Sequence, residues 1–376
     1  MSERAFNFSA GPGALPEPVI KQAQQDLWNF QGSGMGVCEL SHRGPEFDQI
    51  LGEALADCRE VGSIPDSHHI LFLQGGATTQ ADMVPMNFLN EGMTGDYLET
   101  GKWAEDAIKE AGYYAKINGG TVHVAGSTKD EGYTRLPADK DCKYVDDAAY
   151  LLYVSNNTIY GLQFNRVPKS KAPKVCDMSS DMFSRPIDWS HFDMVYAGAQ
   201  KNLGPSGQAL VVIKDEFMQK APKNRVGRMH DYSIHAAKES RFNTPNTFAI
   251  YLMGQTFKWI RREFGSLDQV DQYNREKAKI IYDAIDNSDF FKGHVQESDA
   301  RSLMNITFTT PNAELDEEFC KEAKKHGLLT LEGHRSIGGM RASVYNAFPI
   351  EGCRKLAEFM KNFESQHRTQ VAGASA

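Results

Sequence analysis

Short apolar segments recur along the chain, and each is followed by glycine or polar residues that end it. They lie at 69–74, 97–100, 149–154, 174–177, 192–197 and 208–213. Apolar runs of roughly four to eight residues bounded by turns are typical of buried strands. Helical patterns separate many of them, which predicts an α/β fold with a mainly parallel sheet covered on both faces. A chain of 376 residues is long enough for two domains.

Two neighbouring predicted strands end close to ionisable residues. Asp177 ends one strand, and the next leads into a glycine-rich turn, YAGAQKNLGPSG, that carries Lys201. Gly198, Gly204 and Gly207 can take backbone angles that other residues avoid, so the turn can fold tightly around the lysine. Because α/β proteins bind ligands at the carboxyl edge of the sheet, Asp177 and Lys201 are expected in one site.

This pair of residues has two interpretations. A lysine amine can form a Schiff base with an aldehyde cofactor, and an aspartate can pair with the pyridinium nitrogen of pyridoxal phosphate. A solvated lysine in a surface turn explains the same residues equally well. The pair alone therefore leaves both interpretations open.

A second glycine turn, at 75–79, follows the strand at 69–74 and precedes a helix. The free N–H groups at such a helix start suit a phosphate, although turns of this kind are also common without one. Trp103 opens another helix from the same predicted edge. Its indole could cover a flat cofactor ring or pack as an ordinary core residue.

Arginine and histidine recur together in glycine-flanked loops. The chain contains His42 with Arg43, then His334 with Arg335, and finally Arg341. Arginine binds carboxylate and phosphate through two parallel hydrogen bonds. A pocket that contained these residues would therefore suit a small substrate with two or more negative charges. Each pair taken separately is more often a surface feature.

The composition excludes several classes of function. A net charge of -8 argues against a general nucleic-acid or membrane-surface binder. The first residues lack the apolar core of a signal peptide, and no run approaches the length of a membrane span. The six cysteines are scattered without a CxxC pair, which indicates buried thiols in a reducing cytoplasm and no metal site.

A series of stretches, in order and over nearly the whole chain, resembles the phosphoserine aminotransferase family of fold-type I, class V pyridoxal-phosphate enzymes. They read FNFSAGPGALP, ELSHRGPEF, LFLQGGATTQ, TGKWAEDA, SNNTIYG, VCDMSSDMFSRPIDW, YAGAQKNLGPSG, FNTPNTFAIY and GHRSIGGMRASVYNA. The resemblance implies a large cofactor-binding domain at 16–256 with a mainly parallel seven-stranded sheet. It implies a smaller α/β domain formed by 1–15 and 257–376.

The resemblance also implies roles for the catalytic candidates. Lys201 is expected to hold pyridoxal phosphate as a Schiff base and to carry the proton between the substrate Cα and the cofactor. Asp177 is expected to keep the ring nitrogen protonated, so that the ring acts as an electron sink. Trp103 is expected to stack on the ring, and Thr158 to hydrogen-bond its phenolic oxygen.

The resemblance places the cofactor phosphate on the backbone of Ala77 and Thr78 and on the side chain of Gln200. Asn243 and Thr244 are expected to reach it from a partner subunit, which implies a homodimer. The chain departs from the family here, because members often have glycine in place of Ala77 and many bacterial members have arginine in place of Thr78. We expect little loss of cofactor affinity if the backbone makes the contacts, and weaker binding if the arginine matters.

The substrate is expected to bind through the basic residues. Arg341 is implied to hold the α-carboxylate. The other four, some of them from across the dimer interface, are implied to receive the distal phosphate or the γ-carboxylate of glutamate: His42, Arg43, His334 and Arg335.

The implied reaction is reversible transamination between L-glutamate and 3-phosphohydroxypyruvate in serine biosynthesis, with the 4-phosphohydroxy-L-threonine step of vitamin B6 synthesis as a further candidate. A serine–pyruvate or alanine–glyoxylate aminotransferase is the alternative within the fold. A cysteine desulfurase needs a nucleophilic cysteine on a mobile loop, and neither Cys320 nor Cys353 is predicted to lie on one. A catalytically dead binding protein is a third alternative, against which Lys201 and Asp177 argue.

Overall fold

A computed structural model of the chain describes residues 4–222 and 226–374, with side chains described to residue 368. Strands and helices alternate through most of it, as predicted. The strands are β1 Phe6–Asn7, β2 His68–Gln74, β3 Thr94–Glu99, β4 Thr121–Ser127, β5 Tyr150–Val154, β6 Asn156–Asn157, β7 Leu162–Gln163, β8 Lys174–Asp177, β9 Met194–Gly198, β10 Gln208–Lys214, β11 Lys292–Gly293, β12 Asn305–Thr309, β13 Leu328–Leu329 and β14 Met340–Ser343. The helices are α1 Glu17–Asp26, α2 Pro45–Gly62, α3 Gly76–Phe88, α4 Lys102–Asn118, α5 Asp215–Met218, α6 Tyr232–Ala237, α7 Thr247–Glu263, α8 Leu267–Asp286, α9 Ala313–Lys325 and α10 Ile350–Ala374.

A seven-stranded sheet in the order β2-β10-β9-β8-β5-β3-β4 forms the centre of the fold. Its neighbouring strands run parallel, except that β10 is antiparallel to both β2 and β9. The prediction of a mainly parallel sheet is therefore confirmed.

Both faces of this sheet are covered by helices. In β9, Val195 and Ala197 face a core shared with α2 and α7, whereas Met194 and Tyr196 face a core shared with α3 and α4. Alternate side chains of a strand point to opposite faces, so a strand covered on both sides must be apolar throughout. This requirement is why the central strands were visible in the sequence as uninterrupted apolar runs.

The edge strand β4 was missed by the sequence analysis, which identified no strand between 100 and 149. Its residues are mostly exposed or half-buried. Because β4 pairs only with β3, it needs neither a continuous apolar run nor a strict alternation. The helix α7 begins at Thr247, and the Asn246 side chain caps its N-terminus.

The C-terminal part of the chain forms a further hydrophobic core. The antiparallel sheet β11-β12-β14 packs with α8, α9 and α10, and Phe8 from the N-terminus joins the same core. The N-terminal strand β1 pairs in parallel with β13. The domain boundary predicted between 256 and 257 falls inside α7 and stays a prediction. Within the described ranges, no helix is long and apolar enough to cross a membrane.

Candidate active site

A pocket of about 190 Å³ opens at the carboxyl edge of the large sheet. The ends of β5, β8 and β9 meet there with the N-terminal turns of α3 and α4. Its lining includes most of the predicted cofactor residues, namely Ala77, Thr78, Trp103, Thr158, Asp177, Gln200 and Lys201. The topology of the sheet therefore collects residues that are far apart in sequence.

Lys201 lies in the turn after β9, with its amine directed at the strand-end residues. Its Nζ donates a hydrogen bond of 2.6 Å to Thr158 Oγ1. Burial lowers the pKa of Lys201 to about 8, an effect that the Asp177 carboxylate opposes and the Arg341 guanidinium reinforces. Near pH 7 such a lysine is a neutral amine in a larger fraction of molecules than an ordinary lysine is. The neutral amine is the form that acts as a nucleophile or base.

Asp177 ends β8 at the bottom of the same pocket and is only 7% exposed. Burial raises the pKa of Asp177, whereas hydrogen bonding from Ser179 and the charge of Lys201 lower it. The Ser179 N–H donates to Asp177 Oδ1 at 2.8 Å, and the Ser179 Oγ accepts from the Gly198 N–H at 3.0 Å. Ser179, which the sequence analysis missed, therefore ties Asp177 to the strand that leads to Lys201. The signal for it was a serine two residues after a strand-end aspartate.

Trp103 lies in the first turn of α4, with its ring centroid 5.9 Å from Lys201 Nζ. The ring is 41% exposed and forms one wall of the pocket. Gly101, just before the helix, has φ of 146°, and a Cβ there would lie 2.3 Å from Asn157 Oδ1. Only glycine allows this close approach, so the Asn157 side chain packs directly against the start of the helix that carries Trp103. The sequence analysis missed Asn157.

The turn at 75–79 forms a cradle at the N-terminus of α3. Gly75 takes φ of 93°, and Ala77 and Thr78 lie in the first helical turn, where backbone N–H groups have no partner within the helix. A Cβ on Gly198 would lie 3.4 Å from the Ala77 nitrogen and 2.9 Å from Gln200 Oε1. Among the described residues, this buried Gln200 oxygen has no hydrogen-bond partner. Glycine at 198 therefore keeps this space open, and the free backbone N–H groups at the start of α3 make the cradle suited to an anion.

One of the three glycines of the lysine turn uses the backbone freedom of glycine. Gly207 has φ of 86°, whereas Gly198 and Gly204 do not take a positive φ. Gly204 is needed for space, because a Cβ there would lie 2.8 Å from Met253 Cγ. Gly198 and Gly204 therefore allow close packing within the turn.

Arg341 approaches the pocket from β14. Its Nη1 donates to the Thr158 backbone oxygen at 3.3 Å, so Thr158 contacts both the arginine and Lys201. Burial lowers the pKa of His334, and the charges of Arg341, Arg335 and Lys102 lower it further. Arg341, Arg335 and Lys102 thus form a positively charged region around His334, and Arg341 extends it to Lys201.

Seven predicted residues are not among those that line the pocket of the single chain. They are His42, Arg43, Asn243, Thr244, His334, Arg335 and Arg341. Arg43 is exposed in the loop before α2. The Thr244 backbone oxygen accepts hydrogen bonds from Gln74 Nε2 at 2.9 Å and from Asn243 Nδ2 at 3.1 Å. The predicted contribution of Asn243 and Thr244 to a neighbouring subunit's site stays a prediction, as does the contribution of some of the four distal residues from across the dimer interface.

Comparison with known proteins identifies the family. The family model described as Aminotransferase class-V matches residues 5–356. The phosphoserine aminotransferase of Lysinibacillus sphaericus (strain C3-41) is 47% identical over 370 residues, covering 98% of this chain and 100% of the relative. The chain belongs to the phosphoserine aminotransferase family.

Solved structures of phosphoserine aminotransferases have the same fold. The enzyme from Bacillus circulans subsp. alkalophilus superposes with a TM-score of 0.93 at 45% identity, covering 97% of this chain and 100% of that one. The pyridoxal-phosphate-bound enzyme from Trichomonas vaginalis gives a TM-score of 0.91 at 38% identity, covering 95% and 100%. The predicted fold-type I architecture is therefore confirmed.

The pocket fits the cofactor of this aminotransferase family. It provides a buried carboxylate for a ring nitrogen in Asp177, an amine in Lys201 and a flat wall in Trp103. The cradle at Ala77 and Thr78 offers backbone N–H groups to a phosphate, and these do not depend on the side chains by which the chain departs from many members.

Cys320 and Cys353, the two cysteines considered for a desulfurase, are not suited to act as nucleophiles. Cys320 and Cys353 are buried in α9 and α10, and burial raises the pKa of each to about 12. A thiol needs a lowered pKa and access to react.

Proposed function

We propose that the chain transfers an amino group between L-glutamate and 3-phosphohydroxypyruvate, giving 2-oxoglutarate and O-phospho-L-serine. Pyridoxal phosphate is its cofactor, in keeping with its family. The observation that carries the proposal is the double contact of Thr158, whose hydroxyl accepts from Lys201 and whose backbone oxygen accepts from Arg341. An amino-acid substrate whose α-carboxylate bound Arg341 would therefore have its Cα close to the amine of Lys201.

The residues of the chain divide the chemistry between them. Pyridoxal phosphate, when bound, supplies an electron-withdrawing ring that accommodates the electrons released at Cα. Lys201 takes the Cα proton and returns it, and its lowered pKa suits this work near neutral pH. Asp177 stabilises positive charge on the ring nitrogen in a buried setting. Trp103, which forms a wall of the pocket, would hold one face of the ring and limit access of water to it.

The positively charged region beside Lys201 accounts for the choice of substrate. Glutamate carries a second carboxylate and phosphoserine a phosphate, so one group of cations can bind the far end of either in turn. We assign this role to His42, Arg43, His334 and Arg335, some of them contributed by the partner subunit. A serine–pyruvate or alanine–glyoxylate aminotransferase, the alternative from the sequence, has less need of such a region and is not favoured by the full-length relatives.

Substitution of the distal arginine tests this assignment. Arg335→Ala should lower phosphoserine and glutamate turnover about ten- to a hundredfold, because a hydrogen bond to a charged group contributes roughly 1.5–3 kcal/mol. Alanine, which has no distal anion, should remain a poor substrate and change little. Arg341→Ala should instead impair every amino acid, since each presents an α-carboxylate. Half-reaction rates with phosphoserine, glutamate, serine and alanine measure these effects.

Arg354→Ala provides the matched control, because Arg354 is an exposed arginine that pairs with Glu351 and Glu276 on the C-terminal helices. It should leave all four rates unchanged. An equal loss of phosphoserine and alanine turnover in Arg335→Ala would contradict the assignment, since the region would then not recognise the distal anion.

We also propose that the protein is a homodimer whose sites are completed by Asn243 and Thr244 of the partner. Asn243→Ala should then weaken cofactor binding, and mixing it with Lys201→Ala should restore activity. In a mixed dimer one site carries both defects and the other carries neither. After equal mixing and random reassociation, about a quarter of the parent activity per subunit is expected. Activity of the mixed and unmixed samples gives the result.

Asn287→Ala serves as the control in the mixing experiment, because Asn287 only caps the end of α8. It should bind cofactor like the parent. Failure of an Asn243→Ala variant with weakened cofactor binding to regain activity on mixing would mean that Asn243 acts within its own subunit.

Two finer assignments complete the proposal. 4-Phosphohydroxy-L-threonine carries the same α-carboxylate and terminal phosphate as phosphoserine, so we propose it as a further substrate of the pocket. We also propose a cytoplasmic location, which six free cysteines and a net charge of -8 support.

A further inference from the structure

Lys277 is a completely buried lysine in α8, away from the pocket. Among the side chains that the structure describes, no carboxylate lies within 4.0 Å of its amine. Its amine lies over the ring of Tyr273, 4.7 Å from the ring centroid. Burying an ammonium group is costly unless hydrogen bonds replace its water, so the contacts of Lys277 call for an explanation.

Three backbone oxygens provide these contacts. Lys277 Nζ donates to the oxygens of Val344 at 2.9 Å, Tyr345 at 2.6 Å and Phe348 at 3.3 Å. A protonated lysine has three N–H donors, one for each acceptor. All three acceptors belong to the turn at 344–348, which links β14 to α10. The three hydrogen bonds from Lys277 therefore hold the backbone of this turn in place.

The 344–348 turn reaches the residue that follows Lys201. The Asn346 backbone N–H donates to Asn202 Oδ1 at 2.9 Å. Asn202 in turn donates to the Ser180 backbone oxygen at 3.1 Å, next to Ser179, which orients Asp177. The turn that carries Lys201 is thus hydrogen-bonded, through Asn202, to the 344–348 turn that Lys277 contacts.

The turn also reaches the residue that precedes Lys201. Tyr345 Oη donates to the Ala10 backbone oxygen at 2.5 Å, and a Cβ on Gly13 would lie 2.7 Å from the Tyr345 ring. The Gly13 N–H donates to the Gln200 backbone oxygen at 2.7 Å. The 344–348 turn therefore contacts both sides of Lys201, through Asn346 on one side and through the N-terminal segment on the other.

Arg341 lies three residues before this turn, on β14. We propose that Lys277 is a positioning residue that sets the distance between the Arg341 guanidinium and the Lys201 amine. The inference rests on the proposed transamination, because that distance matters only if one substrate contacts both groups. Misplacement of a reacting group by about 1 Å can lower a rate about a hundredfold.

Lys277→Met tests the proposal, because methionine keeps an unbranched chain but removes all three donors. With the folded, cofactor-loaded variant, kcat/KM for phosphoserine and for glutamate should each fall about 10- to 100-fold. The two losses should agree within about twofold, since both substrates use the α-carboxylate contact. In Lys277→Met every amino acid with an α-carboxylate should lose the same factor in kcat/KM. In Arg335→Ala the loss should instead depend on whether the amino acid has a distal anion.

Lys279→Met is the matched control on the same helix, because the Lys279 side chain is 71% exposed and pairs with Asp283. Its rates and melting temperature should equal those of the parent. Parent turnover of phosphoserine is measured first, so that a failure of the proposed function is seen separately. Lys277 can then be assessed with any amino acid that the parent accepts.

A purely structural role gives a different result. Lys277→Met would then melt at a lower temperature but retain kcat/KM per cofactor-loaded site, and a value within twofold of the parent would overturn the proposal. If Lys277→Met does not fold, Lys277→Gln replaces it, with two donors left and an expected loss of about 3- to 10-fold. Unchanged kcat/KM in that variant, or misfolding of both variants while Lys279→Met folds, would also overturn it.

Discussion

Replacement of Lys201 by alanine should reduce transamination by at least about 10³-fold while the protein still binds pyridoxal phosphate. Proton transfer by a positioned side chain contributes about 10²–10⁴-fold, and here the same amine also holds the cofactor. Cofactor binding should persist because Asp177, the cradle at Ala77 and Thr78, and Trp103 remain in place. Single-turnover rates and cofactor titration measure the two effects separately.

Chemical rescue distinguishes loss of the amine from damage to the pocket. Methylamine should restore part of the Lys201→Ala rate, because alanine leaves space where the lysine amine stood. Borohydride treatment of the loaded parent should attach the cofactor irreversibly to the peptide that contains Lys201. Lys214→Ala is the control, because Lys214 lies at the C-terminal end of β10, whereas the turn that carries Lys201 leads into the N-terminal end of β10. Borohydride should label this variant at Lys201, as in the parent. Borohydride labelling of another lysine, with Lys201 unmodified, would refute the assignment.

The sequence predicted the parts of the site that lie directly at strand ends. The strands leading to Asp177 and Lys201 are buried on both faces, so their apolar runs are conspicuous, and parallel topology places their ends at one edge. β4 escaped detection for the opposite reason, because an exposed edge strand need not be apolar. Prediction was therefore strongest where burial constrains the sequence most.

Residues that act through distant contacts could not be found in this way. Gly101 and Asn157 touch although they lie far apart in the chain, and neither has a local pattern that indicates the other. Lys277 lies in an amphipathic helix, where a lysine usually faces solvent, and its acceptors are backbone oxygens that leave no trace in side-chain composition. Only the tertiary structure reveals such partners.

Replacement of Asp177 by asparagine should have the second large effect. Asparagine keeps the shape and can still accept the Ser179 N–H bond, but it removes a buried negative charge next to the ring nitrogen. Removing one partner of a buried ion pair costs about 3–5 kcal/mol, which corresponds to roughly 10²–10³-fold or more. We therefore expect turnover to fall by at least about a hundredfold. The pH dependence of the cofactor's absorption should show that its ring nitrogen loses its proton more readily.

An N-methylated form of the cofactor makes this prediction specific. Its ring nitrogen carries a permanent positive charge, so it no longer needs a carboxylate to hold a proton, and it should restore part of the activity of Asp177→Asn. Asp57→Asn is the control, since Asp57 is also buried but pairs with Arg261 and does not line the pocket. It should lower the melting temperature and leave the absorption spectrum unchanged. If the N-methylated cofactor binds Asp177→Asn without any gain in rate, Asp177 does not act through the charge of the ring nitrogen.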